Sequence, residues 1–187
     1  MSAFPYVANK LRIPLGFALG LAYLLLAPRF VTPLSLAVGA VVALAGLLVR
    51  AWASGHIVKN DRLATTGPYA HSRNPLYFGS FLLAAGFAIA AHWSLLFMVA
   101  LFWMVIYGPT MEKERRNIRA RFPQEYDEWE QNVPAFVPRP VPWRSAEAAE
   151  PEPFSFPLYM KHGEWKAALV YVLALVYLAA SMRWRGA

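Results

Sequence analysis

The sequence predicts an all-α fold: a polytopic membrane helix bundle with about five transmembrane helices and a polar region on one side of the membrane. Two observations support this prediction. Hydrophobic residues make up 58% of the 187 residues and charged residues only 16%, whereas soluble domains average about 25% charged residues. Four stretches contain no charged residue, and they are residues 13–28, 30–49, 74–111 and 167–182.

The lengths of these stretches predict the number of spans. A hydrocarbon core of about 30 Å needs roughly 20 helical residues. The second stretch is long enough to cross once, and the third twice, with a turn near His92. The first and last stretches are short, but flanking Arg and Trp side chains can reach the interfaces. A buried or interfacial helix is the alternative for the last one. The predicted spans, within one domain of residues 1–187, are 11–28, 31–50, 75–92, 93–111 and 167–183.

The charge distribution predicts the orientation. Five spans put the N-terminus, the loop 50–73 and the segment 112–166 on one side, which then holds every Lys and Arg except Arg29, Arg183 and Arg185. The positive-inside rule places that side in the cytoplasm. We therefore expect an integral membrane protein, in the inner or plasma membrane if the cell is bacterial, with cytoplasmic helices and a Pro-rich segment over 112–165. The net charge of +7 suits membrane lipids, and no nucleic-acid-binding motif accompanies it.

The residue types exclude some kinds of site. Cysteine is absent, which excludes disulfides, thiolate metal sites and a cysteine nucleophile. The four histidines show no metal-ligand spacing such as i, i+4, so no metal site is predicted. The histidines are His56, His71, His92 and His162.

A turn-rich polar and aromatic stretch, residues 66–79, precedes the third span. Gly67 and the proline after it predict a turn, and the fixed φ of Pro75 suits the first turn of a helix. Arg73 at the partly positive end of that helix is suited to binding a carboxylate or phosphate. Tyr69 and Tyr77 offer aromatic faces for a ring or a cation. The alternative is a simple interfacial anchor, with Gly79 serving only close helix packing.

A second polar element, residues 112–129, follows the fourth span. Glu112 and Arg116 are spaced i, i+4 and predict an exposed ion pair. Glu114 shares a helical face with Ile118 and Phe122, so its carboxylate is predicted to face the protein. There it suits sugar hydroxyls or an ammonium group. The alternative for both glutamates is a solvated, salt-bridged helix.

Together the two elements resemble a known family. The pattern Gly-Pro-Tyr-x3-Arg-Asn-Pro-x-Tyr-x-Gly, a hydrophobic hairpin, and Glu-x3-Ile-x3-Phe-x3-Tyr-x2-Trp-x3-Val-Pro is similar to the isoprenylcysteine carboxyl methyltransferases and the wider group of membrane phospholipid methyltransferases. The resemblance covers about residues 60–138. It implies a cytoplasmic cofactor-binding region for S-adenosyl-L-methionine and a lipid-like or small hydrophobic methyl acceptor, of the isoprenylcysteine carboxylate or phospholipid amine type.

The resemblance also implies site residues. Arg73 and Glu114 are the candidate catalytic residues, and His71 is either at the pocket edge or a surface histidine. Arg73-Asn74-Pro75 stands where the family has Arg-His-Pro, so a titratable group is replaced by an amide. The family often has two adjacent glutamates. Here Glu114 is followed by an arginine and Glu112 comes earlier, so either glutamate is a candidate. The implied cofactor-binding residues are Gly67, Tyr69, His71, Arg73, Asn74, Pro75, Tyr77, Glu112 and Glu114.

Two other functions remain open at this point. A membrane reductase of the sterol reductase type would use NADPH and share part of the Arg-x-Pro-x-Tyr-x-Gly turn, but Leu76 and Ser80 depart from its pattern. A non-catalytic lipid-binding membrane protein is the second alternative, because no general base is evident. The acceptor atom, oxygen, nitrogen or sulfur, is not predicted.

Overall fold

The computed structural model describes residues 4–56, 63–144 and 153–186, and over these residues it is helical without any strand. The all-α class is therefore confirmed. Expectations that fall on residues 1–3, 57–62, 145–152 and 187 lie outside the described residues. The helices are α1 (Phe4–Leu26), α2 (Pro33–Ser54), α3 (Pro75–Ala91), α4 (Leu95–Phe102), α5 (Gly108–Arg121), α6 (Pro123–Asn132), α7 (Phe156–His162) and α8 (Trp165–Gly186).

The helix α2 begins where its sequence signals a start. The Thr32 hydroxyl accepts from the Ser35 N–H at 3.1 Å, and the Ser35 hydroxyl accepts from the Thr32 N–H at 3.0 Å. This reciprocal capping satisfies two N–H groups that a helix terminus otherwise leaves unpaired. Pro33 occupies the first turn, where its missing N–H costs nothing.

Glycines bring α2 and α3 into close contact. A Cβ added at Gly39 would lie 2.4 Å from the Gly86 carbonyl oxygen, and one at Gly79 would lie 2.7 Å from the Gly46 carbonyl oxygen. Small residues allow two membrane helices to approach at their backbones. Gly79 thus allows the close helix packing that the sequence analysis considered for it.

The fourth predicted span and the polar helix after it form one continuous rod, Leu95–Arg121, of 27 residues. A π-helical turn at Trp103–Tyr107 joins α4 to α5, and the rings of Trp103 and Tyr107 stack at 4.2 Å. At 1.5 Å per residue the rod is about 40 Å long. It exceeds a hydrocarbon core of about 30 Å, so its charged end projects from the apolar layer.

The apolar helices have two distinct ends. At one end Ala27, Val31, Ala91 and Leu178 form a buried cluster, and the Arg185 guanidinium donates to the Val31 carbonyl oxygen at 2.9 Å. The polar elements gather at the other end. Pro33–Ser54, Leu95–Arg121 and Trp165–Arg185 are long and apolar enough to cross a membrane, while Ile13–Arg29 and Pro75–Ala91 are shorter apolar helices.

The last apolar helix packs on the bundle beside α2. The Tyr171 hydroxyl donates to the Ala40 carbonyl oxygen at 3.0 Å. Only 11% of the most apolar 18-residue stretch of α8 is buried in the protein. Its exposed face, like those of α1 and α2, is composed of large hydrophobic residues, as is expected of helices surrounded by lipid.

Candidate active site

The two polar elements singled out in the sequence meet at one end of the bundle. The Tyr77 hydroxyl, in the first turn of α3, donates to the Glu114 carboxylate on α5 at 2.7 Å. The Tyr77 ring also lies edge-on to the Tyr107 ring, with 5.4 Å between centroids. This geometry gives Glu114 the inward orientation that its helical face predicts.

Glu112 lies on the outer side of the same helix. Its carboxylate accepts from Arg116 at 2.9 Å and from Arg115 at 3.2 Å, and its side chain is 39% exposed. The predicted ion pair with Arg116 is therefore present. Of the two candidate glutamates, Glu114 is the one that contacts the first turn of α3.

Tyr69 lies in a buried 3-10 turn, Gly67–Ala70, within the first of the two elements. The residue is 6% exposed, and its hydroxyl is buried with no hydrogen-bond partner among the described residues. Burial raises the pKa of Tyr69 above its usual range, and the negative charges of Glu114 and Glu164 raise it further. The hydroxyl thus remains protonated and lies within electrostatic reach of both carboxylates.

Gly67 is required by the geometry of this turn. Its φ is +57°, in the left-handed region, and an added Cβ would lie 2.4 Å from the His56 ring. A residue with a side chain would be strained and would collide with His56. Pro75 begins α3 and is buried. Both predicted residues therefore shape the backbone around Tyr69 and Tyr77.

Arg73 binds groups of the protein itself. Its guanidinium donates to the Val133 carbonyl oxygen at 3.0 Å and to the Tyr126 hydroxyl at 3.2 Å, and it forms an ion pair with Glu130. The side chains of Arg73 and Glu130 are 13% and 20% exposed. Binding of a cofactor or substrate carboxylate by Arg73 stays a prediction.

Glu130 is shared between two arginines. Its carboxylate accepts from Arg115 at 2.6 Å and 2.9 Å, in addition to its ion pair with Arg73. The hydrogen bonds from Arg115, together with the charge of Arg73, lower the pKa of Glu130 to about 2. The pairs fasten α6 to both α5 and the turn before α3.

Residues 133–144, which we call the strap, run alongside the turn before α3. The backbone N–H of Arg73 donates to the Pro134 carbonyl oxygen, and that of Arg139 to the His71 carbonyl oxygen, both at 2.9 Å. Side chains of the turn also bind the strap: His71 Nδ1 lies 2.8 Å from the Arg139 oxygen, and Asn74 donates to the Ala135 oxygen at 2.8 Å. The predicted residues His71 and Asn74 thus hold the strap.

Two charged residues that the sequence analysis did not single out lie beside the site. The Arg50 guanidinium, at the end of α2, binds both carboxylate oxygens of Glu164 at 2.9 Å and 2.7 Å. It also donates to the Ser80 hydroxyl on α3. The sequence does contain a signal for Arg50, which directly follows an uncharged stretch of 20 residues. A charge at the membrane boundary needs a partner.

We use the term polar pocket for the region bordered by these side chains of α2, α3 and α5 and by the start of α8. The rings of Tyr77 and Tyr107 contribute aromatic groups there, Glu114 contributes negative charge, and the buried hydroxyl of Tyr69 is an unsatisfied donor. This combination suits a ligand with a flat ring, hydroxyls and a cationic group. Over the described residues, no group of three or more His, Asp or Glu side chains is arranged to hold a metal ion.

Comparisons with known proteins point to one family. The family model for phospholipid methyltransferases matches residues 29–124. The nickel-cobalt-cadmium resistance protein NccN of Alcaligenes xylosoxydans xylosoxydans is 30% identical over 138 residues, covering 72% of this chain and 64% of that protein. The cobalt-zinc-cadmium resistance protein CzcN of Cupriavidus metallidurans is 32% identical over 113 residues, covering 59% of this chain and 52% of that protein. This chain therefore spans less than two thirds of either relative. No solved structure matches it.

Proposed function

Because the chain belongs to the phospholipid methyltransferase family, we propose that it transfers a methyl group from S-adenosyl-L-methionine to a lipid-like acceptor at the cytoplasmic face of the membrane. The observation that supports this most directly is the hydrogen bond of 2.7 Å between Tyr77 and Glu114. It joins the two elements that the family resemblance requires to form one pocket. The relatives' names concern metal resistance and specify no reaction.

The residues of the pocket fit the proposed cofactor. The Tyr69 hydroxyl lacks a partner within the described protein, and a buried donor left unpaired costs about 1–3 kcal/mol. A bound ligand with an acceptor atom relieves that cost. Glu114 offers a carboxylate for an ammonium group or ribose hydroxyls, and the Tyr77 ring offers a π face to a cation.

The reaction mainly requires that the methyl donor and the acceptor be aligned. S-adenosyl-L-methionine supplies a methyl group on a sulfonium, whose bond to sulfur breaks as the bond to the acceptor forms, leaving a neutral thioether. Holding both reactants in line can contribute roughly 7–11 kcal/mol of barrier lowering. Tyr69, Tyr77 and Glu114 would hold one reactant, and the apolar helices beside them would admit the other from the lipid.

Water must be kept from the reacting atoms. The elements that border the polar pocket carry two apolar groups, which are the stacked rings of Trp103 and Tyr107 and the buried cluster of Ala53, Tyr69, Tyr126 and Trp129. An ionised carboxylate acceptor would lose its hydration there and react without a base. An amine acceptor would first give up a proton to a carboxylate or to water.

Arg73 has a positioning role in this proposal. It ties the turn before α3 to α6 through Glu130, Tyr126 and the Val133 carbonyl. Because this contact fixes the backbone between Tyr69 and Tyr77, its loss would displace both rings. A direct role, in which Arg73 binds a ligand carboxylate, would require it to exchange Glu130 for the ligand.

Cofactor binding provides the first test. Calorimetry on detergent-purified protein should detect binding of S-adenosylhomocysteine and none of NADPH. Glu114→Gln should weaken that binding about tenfold or more, because hydrogen bonds to charged groups are worth about 1.5–3 kcal/mol. Glu112→Gln should have a smaller effect, and Glu125→Gln, exposed on α6, serves as the neutral control. Binding of NADPH alone would favour the reductase alternative and refute the proposal.

Transfer provides the second test. The protein should move a radiolabelled methyl group from S-adenosyl-L-methionine into a total lipid extract, and mass spectrometry should identify the product. Tyr69→Phe should lower the rate while the protein remains folded. Cofactor binding without transfer to any lipid fraction would rule out a lipid-like acceptor.

A further inference from the structure

The segment 153–166, which leads into α8, lies beyond residues 29–124 that match the family yet packs directly on the candidate site. Its backbone is tied to the end of α2, because the Ser155 N–H donates to the Gly55 carbonyl oxygen at 3.0 Å. Nδ1 of His162 lies 2.9 Å from the Ser54 carbonyl oxygen. The segment thus satisfies carbonyl groups that the end of a helix leaves unpaired.

Aromatic contacts close the same end of α2. The centroids of the Phe154 and His56 rings lie 6.2 Å apart. A Cβ added at Gly55 would lie 2.3 Å from the Phe154 ring. His56 in turn touches Gly67, the first residue of the Tyr69 turn. The segment is therefore in contact, through one ring, with the backbone that positions Tyr69.

Glu164 carries this contact into the polar pocket. It binds Arg50 through both carboxylate oxygens, and the two side chains are 13% and 22% exposed. Arg50 also binds Ser80, one turn along α3 from Tyr77. The helices α2 and α3 and the turn between α7 and α8 thus meet at a single guanidinium.

Stability alone is a weak explanation for this ion pair. Removing two charges from water costs about as much as their attraction returns, so a mostly buried pair adds little net stability. Such a pair does fix geometry, because a bidentate guanidinium–carboxylate contact holds both partners in one orientation. The buried, unpartnered hydroxyl of Tyr69 lies within reach of the Glu164 charge.

We propose that Glu164 is a positioning residue of the methyl-transfer site, which holds Arg50 so that the segment 153–166 forms the wall that selects the acceptor. This inference rests on the proposed function. It assigns acceptor selection to a part of the chain outside the family match. Glu114 then serves the cofactor, and the pair of Glu164 and Arg50 shapes the space for the acceptor.

The test compares Glu164→Gln, the exchanged pair Arg50→Glu/Glu164→Arg, and the exposed control Glu125→Gln. Transfer is measured in mixed micelles with the total lipid extract at varied mole fraction, and cofactor binding by calorimetry with S-adenosylhomocysteine. For Glu164→Gln we expect an apparent KM for lipid that is about fivefold higher or more, which corresponds to about 1 kcal/mol. The kcat and the affinity for S-adenosylhomocysteine should stay near the values of the control. The exchanged pair should reverse at least half of this rise in the apparent KM for lipid.

Three outcomes would overturn the inference. A lower thermal midpoint with unchanged KM would make Glu164 purely structural, and a loss of S-adenosylhomocysteine affinity would place it on the cofactor side. If Glu164→Gln does not fold, Glu164→Asp is measured instead, and an unchanged KM there overturns the inference. Failure of the wild-type protein to bind S-adenosylhomocysteine would refute the proposed function itself. The inference about Glu164 can fail separately, while the wild-type protein still binds S-adenosylhomocysteine.

Discussion

Replacing Glu130 by Gln should destabilise the protein by about 3 kcal/mol at pH 7. The carboxylate is shared by Arg73 and Arg115, so its neutralisation leaves two guanidinium groups facing each other. Breaking a buried pair by removing one charge costs about 3–5 kcal/mol. The lower end applies here, because the Glu130 side chain is 20% exposed and retains some hydration.

A double-mutant cycle tests whether the cost arises from this network. In the background of Arg73→Ala, Glu130→Gln should cost at least about 1 kcal/mol less, because residues that share a network couple by about 0.5–3 kcal/mol. Unfolding is followed by tryptophan fluorescence during SDS titration of the detergent-solubilised protein. Strictly additive costs would show that Arg73 and Glu130 do not act as a pair.

The pH dependence of this cost has a defined sign. The pKa of Glu130 is lowered from 4.5 to about 2 in the folded protein. A lowered pKa stabilises the folded state fully above pH 4.5, and the contribution disappears as the pH falls towards 2. The difference between wild type and Glu130→Gln should therefore be constant near neutrality and shrink below pH 4.5. A difference that persists unchanged at pH 3, roughly one unit above the folded pKa, would refute the reasoning.

Three further changes have expected outcomes. Gly67→Ala should lower the unfolding free energy by about 1–3 kcal/mol in the same SDS assay, since its φ is +57° and the new Cβ meets the His56 ring; wild-type stability would contradict this. Tyr77→Phe removes the hydrogen bond to Glu114 and should weaken calorimetric binding of S-adenosylhomocysteine about tenfold, whereas unchanged affinity would place the ligand elsewhere. Gly86→Ala puts a Cβ 2.4 Å from a backbone nitrogen of α2 and should cost about 1–3 kcal/mol, which a neutral result in the SDS titration would disprove.

The all-helical class was predictable because bilayer-length apolar stretches leave few structural alternatives. Helix ends were less predictable. The rod Leu95–Arg121 passes without a break through the position where the prediction ended a span at residue 111, since no Gly or Pro signal after Pro109 stops it before Phe122. The helix α7, Phe156–His162, begins within the Pro-rich segment although proline usually breaks a helix, because Pro157 falls in its first turn, where proline is tolerated.

Local periodicity was sufficient for part of the site. The face shared by Glu114 and Ile118 predicted an inward carboxylate, and the structure places it against Tyr77. The partner of Arg73 was not predictable, because Glu130 lies 57 residues away on a helix whose docking depends on Trp129 and Tyr126. Pairings over such distances are set by packing, which a single sequence does not encode locally.

The strap also shows why an arginine motif need not be a ligand motif. A pattern of polar residues before a membrane helix suggests chemistry, yet a backbone that leaves a 3-10 turn must satisfy its own donors and acceptors. His71, Ser72 and Asn74 satisfy carbonyl groups of the strap. Long-range bonds of this kind between side chains and backbone leave no periodic signal in the sequence.

The anchoring of the strap affects how alanine scanning of this protein should be interpreted. Truncation at His71, Ser72 or Asn74 releases a surface segment, so inactivity there would measure assembly of the scaffold and leave the reaction chemistry unexamined. Substitutions that trim a single oxygen, as at Tyr69, alter the pocket while every one of those tethers stays in place. An inactive mutant at one of these three tethering residues is thus less informative than a slow one at Tyr69.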